Sequence, residues 1–300
     1  MNKMAIKSGF AAIVGRPNVG KSTLLNTILN NKVAIVTAKA QTTRNRIQGI
    51  YNDQESQIVF MDTPGIHKAH HEMGKFMNKV ALSATKAADV ILFLSPANEH
   101  IGDNDRYIIR ALQERAIPIV LVVTKIDLIS KGDLMVKIAE WEKIHQFTDI
   151  IPVSVVKHKN LETLLTLLKT HLAVGPQYYP DDMLTDQPEK FLIREIIREK
   201  ILLLTEDEIP HSVAILIDKI DDQPQLLKIM ASICVERDSQ KGIIIGKQGR
   251  LIKQIGTQSR LELEQILGTK IFLELFVKVV DKWRDKPSMI ARLGYNKESY

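Results

Sequence analysis

Eight residues carry the strongest chemical signal in this sequence: Gly15, Arg16, Pro17, Asn18, Val19, Gly20, Lys21 and Ser22. Two glycines five positions apart, then a lysine and a hydroxyl, form the pattern of a loop that wraps a polyphosphate. Its backbone N–H groups turn inward, and a following helix N-terminus adds partial positive charge. Lys21 is expected to reach the β- and γ-phosphates, Ser22 to ligate Mg²⁺, and Thr23 to continue the site. The flanks fit: Phe10 to Val14 is an apolar run of strand length, and Thr23 to Leu29 has a helical pattern. This stretch predicts binding of a nucleoside triphosphate.

Four further polar clusters follow apolar segments. Asp62-Thr63-Pro64-Gly65 comes directly after Ile58 to Met61. A carboxylate ending a strand beside a phosphate loop holds Mg²⁺, and Gly65 leaves an N–H free for a γ-phosphate. Thr124-Lys125-Ile126-Asp127 follows Ile119 to Val123. Asp127 can accept both N–H groups on the guanine edge, a donor pair that adenine lacks, while the Lys125 stem lies over the purine. In Gln41-Thr42-Thr43-Arg44, a threonine hydroxyl is placed to complete the Mg²⁺ shell. In Pro152-Val153-Ser154-Val155, the backbone can meet the guanine O6. A histidine cluster at His67, His70 and His71 has no cysteine nearby and reads as a solvated loop rather than a zinc site.

These residues need a scaffold. Strand-like segments (Val33–Val36, Ser56–Met61, Val90–Leu94, Pro118–Val123, Ile150–Val153) alternate with helical ones (Gly74–Ala88, Asn104–Arg115, Leu134–His145, Leu161–Leu172). That alternation predicts an α/β fold with a mainly parallel sheet, its ligand at the carboxyl ends of the strands. The 300-residue length suits two domains, here 1–178 and 179–300, divided near the turn formers and acids of Gly175 to Asp182. In the second part, Phe191–Leu204 reads as a helix, Ser212–Ile220 and Leu226–Glu236 as paired strands, and Thr269–Val280 as a last strand. Between them, Gly246-Lys247-Gln248-Gly249 opens a helix running to Leu267. The two glycines allow close approach of RNA phosphates to the backbone. Lys247, Arg250 and Lys253 supply charge, and Ile243, Ile244 and Ile245 an apolar surface beside the bases. Trp283 and Arg284 have two readings, further RNA contact or a tryptophan capping the core.

Composition narrows the class. The net charge of +6 is unevenly spread: residues 1–180 hold 22 basic and 15 acidic side chains, 181–240 hold 7 and 14, and 241–300 hold 12 and 6. The basic final segment fits an anionic partner. Glu206-Asp207-Glu208 reads as a solvated loop. No apolar run reaches the eighteen residues of a membrane span, and Met1 to Gly9 lacks a signal-peptide core. The single cysteine, Cys234, lies in an apolar run, excludes an internal disulfide and fits a reducing cytosol.

The order of these motifs resembles the translation-factor-related GTPases, and specifically the Era family of bacterial ribosome-assembly GTPases. The likeness rests on GRPNVGKSTLLN at Gly15–Asn26, QTTR at Gln41–Arg44, DTPG at Asp62–Gly65, and the helix, strand and Gly-x-x-Gly order of a KH domain of the prokaryotic kind. It implies a P-loop GTPase domain followed by a smaller α+β KH domain, GTP/GDP and Mg²⁺ as cofactors, and Lys21, Thr43 and Gly65 as catalytic residues. Ser22, Thr43 and Asp62 become the metal ligands, because in this family the metal-binding threonine directly precedes the arginine. The implied partners are small-subunit (16S) ribosomal RNA and the pre-30S subunit, for a cytoplasmic monomer with a peripheral contact on the inner face of the membrane. Three positions depart from the wider pattern. Thr124 stands for the usual asparagine, Val155 for alanine, and Ile66 where other GTPases carry a water-orienting glutamine, which implies slow turnover. A membrane signalling GTPase whose basic C-terminal part contacts anionic lipid is the alternative, although Pro287–Tyr300 is too short and mixed for a lipid-binding helix. A nucleoside kinase is disfavoured by Lys125-x-Asp127.

Overall fold

The computed structural model describes residues 6–113 and 116–295. Arg115, the expected end of the third helix, and parts of Met1–Gly9 and Pro287–Tyr300 lie outside them.

The first unit is built on a seven-stranded sheet. Its elements are β1 (Ile6–Gly15), α1 (Lys21–Leu29), β2 (Ile47–Asn52), β3 (Ser56–Asp62), α2 (Glu72–Ala84), β4 (Val90–Pro96) and α3 (Asp103–Gln113). They continue with β5 (Ile119–Thr124), α4 (Lys131–Glu142), β6 (Asp149–Pro152), α5 (Leu161–His171) and β7 (Val174–Gly175). The strand order is β2-β3-β1-β4-β5-β6, with β7 added on β1. All pairs are parallel except β2 with β3 and β7 with β1. β4 and β5 are buried throughout, as expected for strands covered on both faces. Ile13 and Leu92 pack into one face's core, and Phe93 and Trp141 into the other's.

The run Val33–Val36 is not a strand. Its backbone is held as a loop by the Asn26 side chain, which accepts from Val33 N and Ala34 N and donates to the Ala34 carbonyl. The run is apolar for a different reason: Val33 and Ala34 pack on the first unit's core, while Ile35 inserts into the core of the second unit. The second strand is instead Ile47–Asn52, an antiparallel edge strand. Beyond β7 the chain stays strapped to that edge. Gln57 accepts from Tyr178 N and Tyr179 N, Ile50 N donates to the Leu184 carbonyl, and the Thr185 hydroxyl donates to the Gln48 carbonyl.

The second unit comprises α6 (Glu189–Leu204), α7 (Ile209–Ser212), β8 (Ala214–Gln223), β9 (Leu226–Val235), α8 (Asp238–Ile245), α9 (Arg250–Leu267), β10 (Ile271–Val279) and α10 (Pro287–Arg292). Its sheet runs β10-β9-β8, with β8 antiparallel and β10 parallel to β9. α6, α8 and α9 bury Ile197, Ile244, Ile255 and Leu263 against one sheet face. On the other face, Ala214, Cys234 and Trp283 meet Met73 and Met77 of α2, so α2 belongs to both units. Trp283 is fully buried and donates to the Ser212 carbonyl at 2.8 Å, and Arg284 pairs with Glu236. Of the two readings of this pair, the core cap holds. Cys234 is buried, which pushes its thiol up to about 11.

Candidate functional site

Four loops converge at the carboxyl ends of β1, β3, β5 and β6. The loop Gly15–Gly20 leads into α1, whose N-cap Gly20 has φ 100°. Lys21 is buried and donates to the carbonyls of Arg16 (2.8 Å) and Gly15 (3.3 Å). Its ammonium thus lies back along the loop, and burial lowers its pKa to about 8 despite nearby Asp62. Gly65 sits directly on the loop: a Cβ there would approach Pro17 N to 2.5 Å, leaving no room for any side chain. Ile66 N donates to the Gly15 carbonyl, while the Ile66 side chain is fully buried in the core. Val19, Thr63 and Pro64 also turn their side chains inward, so they offer a ligand only backbone.

Ser22, Thr43 and Asp62 meet at one point. Ser22 Oγ donates to Asp62 Oδ2 at 2.6 Å and lies 2.9 Å from Thr43 Oγ1. Thr42 is turned away, its hydroxyl donating to the Lys39 carbonyl. Burial pushes the Asp62 carboxyl up to about 6, against the pull of Lys21 and the hydroxyls. Asp62 Oδ1 is buried without a hydrogen-bond partner. An orphaned carboxylate oxygen flanked by two hydroxyls is a donor set of hard oxygens that fits Mg²⁺.

At β5, Thr124 Oγ1 donates to the Val19 carbonyl at 2.9 Å. The hydroxyl therefore ties the β5 loop to the phosphate loop in place of an amide. Lys125 has φ 57° and Asp127 is exposed, with Ser154 Oγ donating to Asp127 Oδ1. Val155 N lies in the turn closed by the Ser154–Lys159 bridge. One clamp has no sequence signature. The buried carboxylate of Asp105 holds Arg16 Nε at 2.8 Å, and Glu99 joins Arg16 (3.1 Å) to Lys125 (3.2 Å).

The second candidate site is the turn between α8 and α9. Gly246 has φ 71° and Gly249 φ 73°, and a Cβ on Gly246 would meet Leu251 Cβ at 2.8 Å. Lys247, Gln248, Arg250 and Lys253 are exposed at the start of α9. Ile243 is 46% exposed and Ile245 partly so, but Ile244 is fully buried. Of the three isoleucines expected to face RNA, Ile244 points into the core, as helical periodicity in α8 requires.

A family model described as 50S ribosome-binding GTPase matches residues 10–125, and a KH domain model matches 208–284. Era from Aquifex aeolicus, solved as a variant bound to GDP·AlF4⁻, superposes with TM-score 0.93 at 41% identity, covering 97% of this chain and 99% of that one. The chain belongs to the Era family of GTPases. A second Era structure, in complex with MgGDPNP and nucleotides 1506–1542 of 16S ribosomal RNA, matches at 42% identity with TM-score 0.94 and the same coverage.

Within an Era-type fold, the contacts between the two units are the part that motif reading missed. Arg44 is fully buried. Its guanidinium donates to the carbonyls of Val213 (2.6 Å), Pro210 (3.0 Å) and His211 (3.3 Å), and lies 5.8 Å from the Trp283 ring centre and 6.0 Å from that of Tyr295. Arg198, itself buried against Glu195, donates to the Thr42 carbonyl. Lys32 pairs with Glu199 and Glu262 at 2.6 Å each. The segment carrying Thr43 is thus gripped on both sides by the KH unit.

Proposed function

We propose that this protein is a slow GTP-hydrolysing, RNA-binding GTPase that docks on 16S ribosomal RNA through residues 179–300 and assists assembly of the small ribosomal subunit. The observation that carries the nucleotide half is the convergence of Lys21, Ser22, Thr43, Asp62 and Asp127 at one end of the sheet. The phosphate loop and Lys21 hold the polyphosphate, and Asp127 reads guanine with Ser154 fixing its rotamer. Ser22, Thr43 and Asp62 would hold Mg²⁺, which when bound neutralises charge on the β- and γ-phosphate oxygens. Gly65 offers its N–H to the γ-phosphate from directly above Pro17. Ile66 is buried and aliphatic, so nothing at that position orients water, which supports slow hydrolysis. The relatives' complexes with GDP·AlF4⁻, MgGDPNP and 16S ribosomal RNA support the same reading.

The RNA half rests on the exposed turn of Gly246 to Gly249, a place for about four nucleotides of single-stranded RNA. Such a partner supports a cytoplasmic location. No described helix is long and apolar enough to cross a membrane.

Asp127→Asn tests the nucleotide assignment. The amide inverts part of the acceptor pattern, so preference should move from guanosine to xanthosine diphosphate by about 1–3 kcal/mol. Equal affinity of parent and variant for GDP would remove Asp127 from the site.

A further inference from the structure

A groove of about 860 Å³ lies between α2 and α3, lined also by His67, Lys68 and Ala69 of the segment that follows Gly65. Its floor is apolar, made by Leu82, Ala69 and the ring of Tyr107, which is 49% exposed. Its rim is basic. Lys75 and Lys79 stand one turn apart on α2, Lys68 precedes the helix and Lys86 follows it. Lys75 is paired with Glu72, whereas Lys68, Lys79 and Lys86 are exposed and make no ion pair among the described residues. Asp103 is the one acid lining the groove among the described residues.

One wall of the groove is connected to the nucleotide site. His67 Nδ1 lies 3.0 Å from the Gly65 carbonyl, which can only accept, so the proton is on Nδ1. Nε2 then accepts from the Gln41 amide at 3.3 Å. The His67 backbone is bracketed by Asn78, which donates to its carbonyl at 2.7 Å and accepts from its N–H at 3.3 Å. A single residue therefore touches the γ-phosphate segment, the threonine segment and α2.

We propose that this groove docks an acidic, amphipathic peptide segment of a partner protein, and that His67 makes its shape follow the bound nucleotide. Unpaired lysines around an apolar floor complement a segment carrying both carboxylates and apolar anchors. Single-stranded RNA fits less well: among the described residues the groove offers two rings, Tyr107 and His67, the second already held by Gly65 and Gln41, and no arginine. The nucleotide dependence rests on the GTPase reading above; the groove itself does not.

The test pans a random 12-residue peptide library against the full-length protein loaded with a non-hydrolysable GTP analogue and Mg²⁺. Affinities of enriched peptides are then measured by fluorescence anisotropy in the GTP-analogue and GDP states. Enriched peptides should combine Asp or Glu with Leu or Phe, and Lys79→Glu with Lys86→Glu should weaken them by about tenfold or more, as charge reversal at an interface does. Both lysines are exposed and neither lines the phosphate-loop pocket, so GDP affinity of the double variant should equal the parent's. Binding should also differ between nucleotide states, and His67→Ala should erase that difference. Peptides without acidic residues, unchanged affinity in the double variant, or equal affinity in both states would overturn the proposal. So would displacement of the peptides by a single-stranded RNA oligonucleotide from a protein carrying Lys247→Asp and Gln248→Asp, which would make the groove an RNA site. Absence of nucleotide binding in the same samples would mark failure of the GTPase reading instead.

Discussion

Arg44, one residue after the threonine at the metal site, donates to the carbonyl of Val213 in the KH unit at 2.6 Å. The two residues are 169 positions apart in sequence, and three carbonyls at Pro210 to Val213 depend on the same guanidinium. Any rearrangement of the Thr43 segment with nucleotide must pull on this cluster or break it.

Replacing Arg44 by alanine leaves those carbonyls buried and unpaired, at a cost of about 3 kcal/mol or more. Arg44→Lys keeps the charge but not the fork geometry, and should fall between. Amide exchange at Ile209–Ser212 checks this: faster exchange in Arg44→Ala is the expected outcome, and unchanged protection means that the contact carries no stability.

Thr124 should hold the phosphate loop by its hydroxyl. Thr124→Val keeps the shape and removes the bond to the Val19 carbonyl, leaving that carbonyl short of a buried donor. GDP affinity should drop by about 1–2 kcal/mol, roughly five- to thirty-fold. An isothermal titration showing equal affinity would mean that the β5 loop is positioned by the Glu99 clamp alone.

The two adjacent threonines make a sharper pair. Thr43→Ala removes a hydroxyl 2.9 Å from Ser22 Oγ, whereas Thr42→Ala removes one bonded only to Thr37 and the Lys39 carbonyl. In a GTP-analogue titration with Mg²⁺, Thr43→Ala should weaken binding by about tenfold while GDP binding changes little, since this segment answers to the γ-phosphate. Greater damage from Thr42→Ala would assign the wrong residue. Lys21→Ala should abolish triphosphate binding altogether.

These sites differ in how much of them a sequence can reveal. The phosphate loop is legible because its chemistry is local: eight consecutive residues hold both the backbone geometry and the ligating groups. The same holds for the Gly246–Gly249 turn, whose glycines the backbone demands. Arg44 was visible as part of QTTR, yet nothing local indicates that it is buried against residues 210–213. Ile35 misleads for the same reason. Its neighbours form an apolar run of strand length, but the run is split between two cores, Ala34 in the first unit's and Ile35 in the second's, and an asparagine side chain takes the hydrogen bonds a strand would need. Trp283 could be read two ways until Ser212 supplied the partner for its indole. The Arg16–Glu99–Lys125 clamp joins three loops, and no spacing rule connects them.

The central claim, one chain joining a guanine-nucleotide switch to an RNA reader, meets its most direct test in RNA binding by the double variant Lys247→Asp and Gln248→Asp. Both side chains are exposed and neither glycine is touched, so folding should change by no more than about 0.5 kcal/mol. GTP-analogue affinity should match the parent's. Affinity for a single-stranded oligonucleotide taken from nucleotides 1506–1542 of 16S ribosomal RNA should fall by about tenfold or more, and the parent's binding should weaken steeply with salt. If the variant binds that RNA as tightly as the parent, the Gly246–Gly249 turn is not the reader and the account fails at its centre.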